Sequence, residues 1–178
     1  MPTYITPERY LEEERKTEAR SEYYRGEVFP RKPTKFNHAL VVANIIRALG
    51  EEPFKRDCLA VASSLRVAVS AAALYTYPDV TIICGEPQYL DDSREEVTNP
   101  KLIFEVSSDK FIHYRTLPSL AEYITVAQDA PPIVQCVLQS NHRWLLSEIQ
   151  GMDQVLKLES LDLEVPLSLI YKNVKFDA

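Results

Sequence analysis

The chain has 178 residues, 46% of them hydrophobic and 26% charged, a balance that suits a single globular domain over residues 1–178 and excludes disordered and fibrous classes. Its 26 acidic and 20 basic residues leave a formal charge of -6, which argues against coating nucleic acid by bulk attraction. A metal-dependent nucleic-acid enzyme is not excluded, because such sites are themselves built from carboxylates.

No apolar run approaches the ~20 residues of a membrane span. The opening MPTYITPERYLEEERK lacks the basic-then-apolar order of a signal peptide, so the expectation is a cytoplasmic protein with no membrane partner. In the same opening, Thr6 is a good N-cap and Pro7 a good first helical residue. The charged run that follows predicts a peripheral helix ending before Gly26. GEVF, from Gly26 to Phe29, predicts a short strand, and the two prolines and basic residues of PRKPTK predict a loop or sheet edge. That basic edge offers local contacts to phosphate that the total charge conceals.

From Asn37 onward, Val42, Ile45, Ile46 and Leu49 fall at i, i+3, i+4 and i+7, and Gly50 marks a helix stop. LAVASSLRVAVS, YTYPDVTIICG and KLIFEVS read as strands, DKFIHYRTL as a short helix, and EYITVAQ, IVQCVLQ and RWLLSEI as three further strands. QSNHR predicts a hairpin turn, and the acidic tract DDSREE a solvated loop. The fold class is therefore α/β (α+β): a central mixed β-sheet flanked by helices, with a β-rich C-terminal extension. Cys58, Cys84 and Cys136 are far apart and set in apolar runs, which predicts buried thiols and no disulfide. The seventeen aromatics, Trp144 among them, sit mostly at positions that suit a core.

Four glycines are too few for a dinucleotide fingerprint or a phosphate loop, no serine sits in a Gly-x-Ser-x-Gly elbow, and His38, His113 and His142 have no zinc-site spacing. Carboxylates with a lysine remain. Asp79 follows Pro78 at the mouth of VTIIC, and Glu105 lies inside LIFEVS. If these strands are neighbours, both acids reach one hard cation, Mg²⁺ or Mn²⁺, and Lys110 stands close enough to orient water or offset charge. Singly, each has an ordinary reading: a turn aspartate, a strand-edge glutamate, a solvated lysine. Together they are the parts of metal-assisted phosphodiester cleavage.

SEYYRGEVF, NHALVVANII, LYTYPDVTIICGEPQ, NPKLIFEVSS, KFIHYRTLPSLAEYITV and VPLSLIY resemble, in that order, the Uma-type restriction endonuclease family of the PD-(D/E)XK superfamily. The resemblance implies a restriction-endonuclease-like core and a metal-dependent endonuclease acting on DNA, with Asp79 and Glu105 as metal ligands. Ser107 stands where the superfamily places its lysine, and Lys110 matches a family lysine moved onto the next helix. Glu27 matches a family acid that completes or supports the metal shell, and His38 a family histidine facing the site. Ser64 stands where the family often has aspartate, and the join EVSSDKF is shorter than the family's loop. The alternative is an inactive member that keeps the fold as a DNA- or protein-binding module, a homodimer pairing through its β-rich C-terminus.

Overall fold

A computed structural model describes residues 4–129 and 132–176. Two β-sheets dominate. The larger has six strands in the order β11 (Trp144–Ile149), β10 (Ile133–Leu138), β9 (Glu122–Val126), β8 (Leu102–Val106), β6 (Val80–Cys84) and β3 (Cys58–Ala62). The smaller has five, in the order β2 (Glu27–Pro30), β1 (Ser21–Tyr24), β5 (Leu74–Thr76), β4 (Arg66–Val69) and β7 (Glu96–Val97). Within the six-stranded sheet β8 and β9 run parallel, joined across the one-turn helix α3 (Phe111–Tyr114), and the other pairs are antiparallel.

Alternation along the strands explains the layering. Ile82, Leu102 and Phe104 face one way and pack against Val41, Val42, Ile45 and Leu49 of α2 (Phe36–Leu49). The hairpin of β12 (Val155–Leu158) and β13 (Leu163–Pro166), with α4 (Leu167–Ile170), completes that layer. Ile83, Ile103 and Tyr123 face the other way and meet Val67, Val69 and Leu74 of the five-stranded sheet. The mixed α/β class holds, with α2 on one face of the larger sheet and the second face covered mainly by the smaller sheet.

Helix α1 (Pro7–Glu14) is capped by Thr6, whose hydroxyl accepts from the Arg9 N–H at 3.3 Å. It is far shorter than expected: the charged run ends after two turns, and Ser21–Tyr24 is strand, where Tyr23 stacks on Tyr10 and meets Tyr75 edge-to-face. LAVASSLRVAVS and YTYPDVTIICG each split into two strands that belong to different sheets. The tract DDSREE is only partly solvated. Glu96 is fully buried, pairs with Arg66, and accepts from Arg15 at 2.9 Å. Among the described residues no helix is long and apolar enough to cross a membrane.

The cysteine expectation is corrected. β3 pairs with β6 so that Cys58 lies opposite Cys84, and the two form a disulfide; Cys136 is free and buried. Strand register brings together residues 26 positions apart, a proximity that sequence spacing hides. A loop of that length constrains the unfolded chain by about 3 kcal/mol. Alkylation of the unfolded, unreduced protein should therefore modify one cysteine, against three after reduction. The reduced form should unfold at lower denaturant by about that free energy, measured by urea titration.

Candidate active site

The chain leaves the five-stranded sheet at Thr76 and enters the six-stranded one at Val80, so Tyr77, Pro78 and Asp79 form the crossing between sheets. β6 and β8 pair with Val80 opposite Phe104 and Thr81 opposite Ile103. One more step in that register sets Asp79 across from Glu105, on the face that looks toward the five-stranded sheet. Directly opposed residues in such a ladder stand about 5 Å apart at Cβ. Each of the two acids is only 3% exposed.

Asp79 Oδ2 accepts the Val106 N–H at 2.8 Å, which ties the acid to the strand that carries Glu105. Its Oδ1 lies 2.8 Å from Nε2 of His38, in the first turn of α2. Glu105 Oε1 accepts the hydroxyl of Tyr114 at 2.8 Å, and Lys110 Nζ is 3.9 Å from the same oxygen. Burial pushes the Glu105 carboxyl up to about 8, outweighing the Lys110 ammonium, and the Asp79 charge beside it acts in the same upward direction. Burial likewise holds the Tyr114 hydroxyl well above its ordinary value, so it stays a donor to Glu105.

The short join to Lys110 leaves β8 through Ser107, which takes a left-handed conformation, φ 55°. The Ser107 N–H donates to Val126 O at 2.8 Å, and its Oγ accepts the Gln128 N–H at 3.0 Å. Lys110 therefore starts the next helix within reach of the acids. Its ammonium donates to both oxygens of Glu22, at 2.8 and 2.9 Å, and to Thr76 Oγ1 at 2.9 Å.

Four of the five residues singled out in the sequence, His38, Asp79, Glu105 and Lys110, line one cleft of about 610 Å³. Glu27 does not. It lies opposite Tyr24 at the turn end of the β1–β2 hairpin, whereas Glu22, opposite Phe29, reaches the cleft. Glu22 was hidden by the reading of its segment as helix; in the strand SEYY, alternation sends it to the face opposite Tyr23. Gln128 is a further residue the sequence did not flag. It is 9% exposed, and its buried Oε1 has no hydrogen-bond partner.

Among the described residues no three His, Cys, Asp or Glu side chains converge as a ready cation cage. Mg²⁺ does not need one, since it keeps several waters and binds through one or two carboxylates plus substrate phosphate. Two opposed buried carboxylates, one held half-neutral near pH 8, and an orphaned amide oxygen suit such an ion.

Residues 7–169 match the sequence profile of the Uma2 family, described as "Putative restriction endonuclease". The chain belongs to this family. Two cyanobacterial relatives from Synechocystis sp. (strain ATCC 27184 / PCC 6803 / Kazusa) resemble it along most of their length. "Uncharacterized protein sll1609" is 33% identical over 156 residues, covering 83% of this chain and 88% of the relative. "Uncharacterized protein slr1290" is 26% identical over 181 aligned positions, covering 97% and 94%. A similar fold is seen in a crystal structure described as "a putative nuclease belonging to DUF820" from Anabaena variabilis ATCC 29413. It superposes with a TM-score of 0.72 at 14% identity, covering 94% of this chain and 97% of that one.

The raised Glu105 carboxyl has a consequence for stability. The folded state holds a proton there between the ordinary value of 4.5 and about 8, and the unfolded chain does not. This contribution is present in full below the unfolded value and is lost as pH rises through the folded one. Without divalent ions, urea titrations should show stability falling by a few kcal/mol between pH 5.5 and 9, and Glu105→Gln should flatten the profile and be the more stable protein at pH 9. A flat wild-type profile would contradict the buried-acid assignment.

Proposed function

We propose that this protein is a divalent-metal-dependent endonuclease that hydrolyses phosphodiester bonds in DNA. The observation that carries the reading is the opposition of Asp79 and Glu105, buried at the floor of a cleft, with the Lys110 ammonium beside them. Asp79 and Glu105 would hold Mg²⁺ or Mn²⁺, and a carboxylate oxygen already accepting one hydrogen bond keeps a lone pair for the ion. When bound, the ion supplies Lewis acidity toward the phosphate and lowers the pKa of an attacking water.

The protein's own groups do the rest. The Val106 amide and the His38 ring fix the rotation of the Asp79 carboxylate. Tyr114 does the same for Glu105. Lys110, its three donors taken up by Glu22 and Thr76, keeps a fixed positive charge where the phosphate becomes more negative. Glu22 thus takes the supporting place first assigned to Glu27, acting on Lys110 rather than on the ion. Gln128 Oε1 offers an acceptor for a water in the same cleft. Arg31, Lys32 and Lys35, from the proline-rich strap after β2, rim the cleft and would draw in an anionic strand despite the negative total charge.

A supercoiled plasmid should be nicked in the presence of Mn²⁺ or Mg²⁺ and spared in EDTA. Asp79→Ala and Glu105→Gln should each lower the rate ~100-fold or more, and Lys110→Ala should lower kcat more than it raises KM. An Asp79→Ala protein that melts like wild type and cuts as fast would overturn the assignment.

A further inference from the structure

We infer that Arg20 and Arg31 form a clamp for a second phosphate of the substrate strand, next to the phosphodiester that is cleaved; this rests on the nuclease reading above. The two arginines face each other where the β1–β2 ladder runs past its last pair, with the Arg31 N–H donating to Arg20 O at 3.1 Å. Both guanidiniums lie on the Tyr77 ring, 5.5 and 5.3 Å from its centroid. A third, Arg66, also sits over that ring at 5.5 Å, but it is buried and satisfied by Glu96 and by the Tyr77 hydroxyl. Arg20 and Arg31 form no ion pair with a carboxylate among the described residues. Two like charges that share one aromatic ring, neither with a carboxylate partner, leave room for an anion to offset both.

Their place relative to the acids is fixed by a short chain of bonds. Arg31 Nη1 donates to Ser63 O at 3.0 Å, and the Ser63 N–H donates to Asp79 O at 2.8 Å. One residue therefore separates the guanidinium from the backbone of the metal-binding acid. Both arginines line a cavity of about 690 Å³ that also reaches His38 and Asp79, with Ser63 and Ser64 on its wall and the outer face of α2 as its floor. That cavity and the acid cleft share Arg31, Thr34, His38 and Asp79, so a strand crossing the acid pair continues into the arginine cavity. Guanidinium forks match phosphate geometry, and the cation-π contact with Tyr77 keeps both groups near one point before binding. Because this phosphate is not the one that reacts, the clamp contributes equally to ground state and transition state.

Fluorescence anisotropy of a labelled DNA oligonucleotide, with Ca²⁺ replacing the catalytic ion, tests this across a salt series. Arg20→Gln and Arg31→Gln should each weaken binding by roughly fivefold to tenfold and reduce the slope of log affinity against log salt by about 0.7–0.9. Ser64→Asp, which sets a carboxylate in the same cavity while both arginines remain, should weaken binding similarly, and Ser64→Asn should not. In the cleavage assay with Mn²⁺ the arginine variants should raise KM and leave kcat within about twofold. Unchanged affinity and slope in Arg20→Gln, whose side chain is exposed, and in Ser64→Asp overturn the clamp, provided the enzyme still cuts in an Asp79-dependent manner. A wild-type protein that neither binds nor cuts DNA overturns both the clamp and the nuclease reading.

Discussion

Two carboxylates placed face to face in a nearly dry crevice set the terms for the rest of this structure. Asp79 and Glu105 each retain only 3% exposure, and among the described residues neither has a cation within ion-pairing range except the Lys110 ammonium, 3.9 Å from Glu105, and the His38 ring beside Asp79. Taking two such charges out of water costs several kcal/mol unless something compensates them. The chain meets that cost in part by holding Glu105 partly neutral near pH 8 and by giving each acid a fixed donor. A cation bound between them would remove the remainder, which is the reading proposed above for the pair. Lys110 alone cannot do so, because its three donors are already engaged by Glu22 and Thr76.

The scaffold around the acids is correspondingly rigid. Pro78 sits between Tyr77 and Asp79 at the crossing from one sheet to the other, so a restricted backbone carries the acid. Tyr77 is held by its hydroxyl, which accepts from Arg66 Nε at 2.9 Å and donates to Glu14 Oε1 at 2.9 Å. Arg66 is in turn paired with fully buried Glu96, which Arg15 also reaches. α1, β4 and β7 thus brace the residue that precedes the Pro-Asp pair. The same Tyr77 ring carries Arg20 and Arg31, so one aromatic side chain links the crossing that bears Asp79 to the proposed phosphate clamp beside it.

Much of this was legible in the sequence where periodicity or chemistry is local. The α2 stripe and its Gly50 stop, the hairpin at QSNHR and the strand bearing Glu105 follow from spacing alone. Asp79, Glu105 and Lys110 stood out because charge inside or beside an apolar run demands a reason, and the resemblance of the motifs supplied their order. What escaped was set by pairing between distant segments. Cys58 and Cys84 meet only through antiparallel register. Glu96 looks like one more charge in DDSREE until Arg66 and Arg15 close over it. Glu22 could not be told from Glu27 while its segment read as helix, since the choice depends on strand parity and on Phe29 lying opposite. How Lys110 reaches the acids across the short join EVSSDKF was not legible, because a left-handed serine at Ser107 is not written in any sequence pattern.

The central claim is that Asp79 and Glu105 jointly hold one divalent cation. Anomalous diffraction at the manganese edge, from crystals grown at pH 8 with millimolar Mn²⁺, tests it most directly. The account predicts a single strong peak within coordination distance of a carboxylate oxygen of each acid, absent from Glu105→Gln crystals. No peak at that position in a well-ordered wild-type cleft would contradict it.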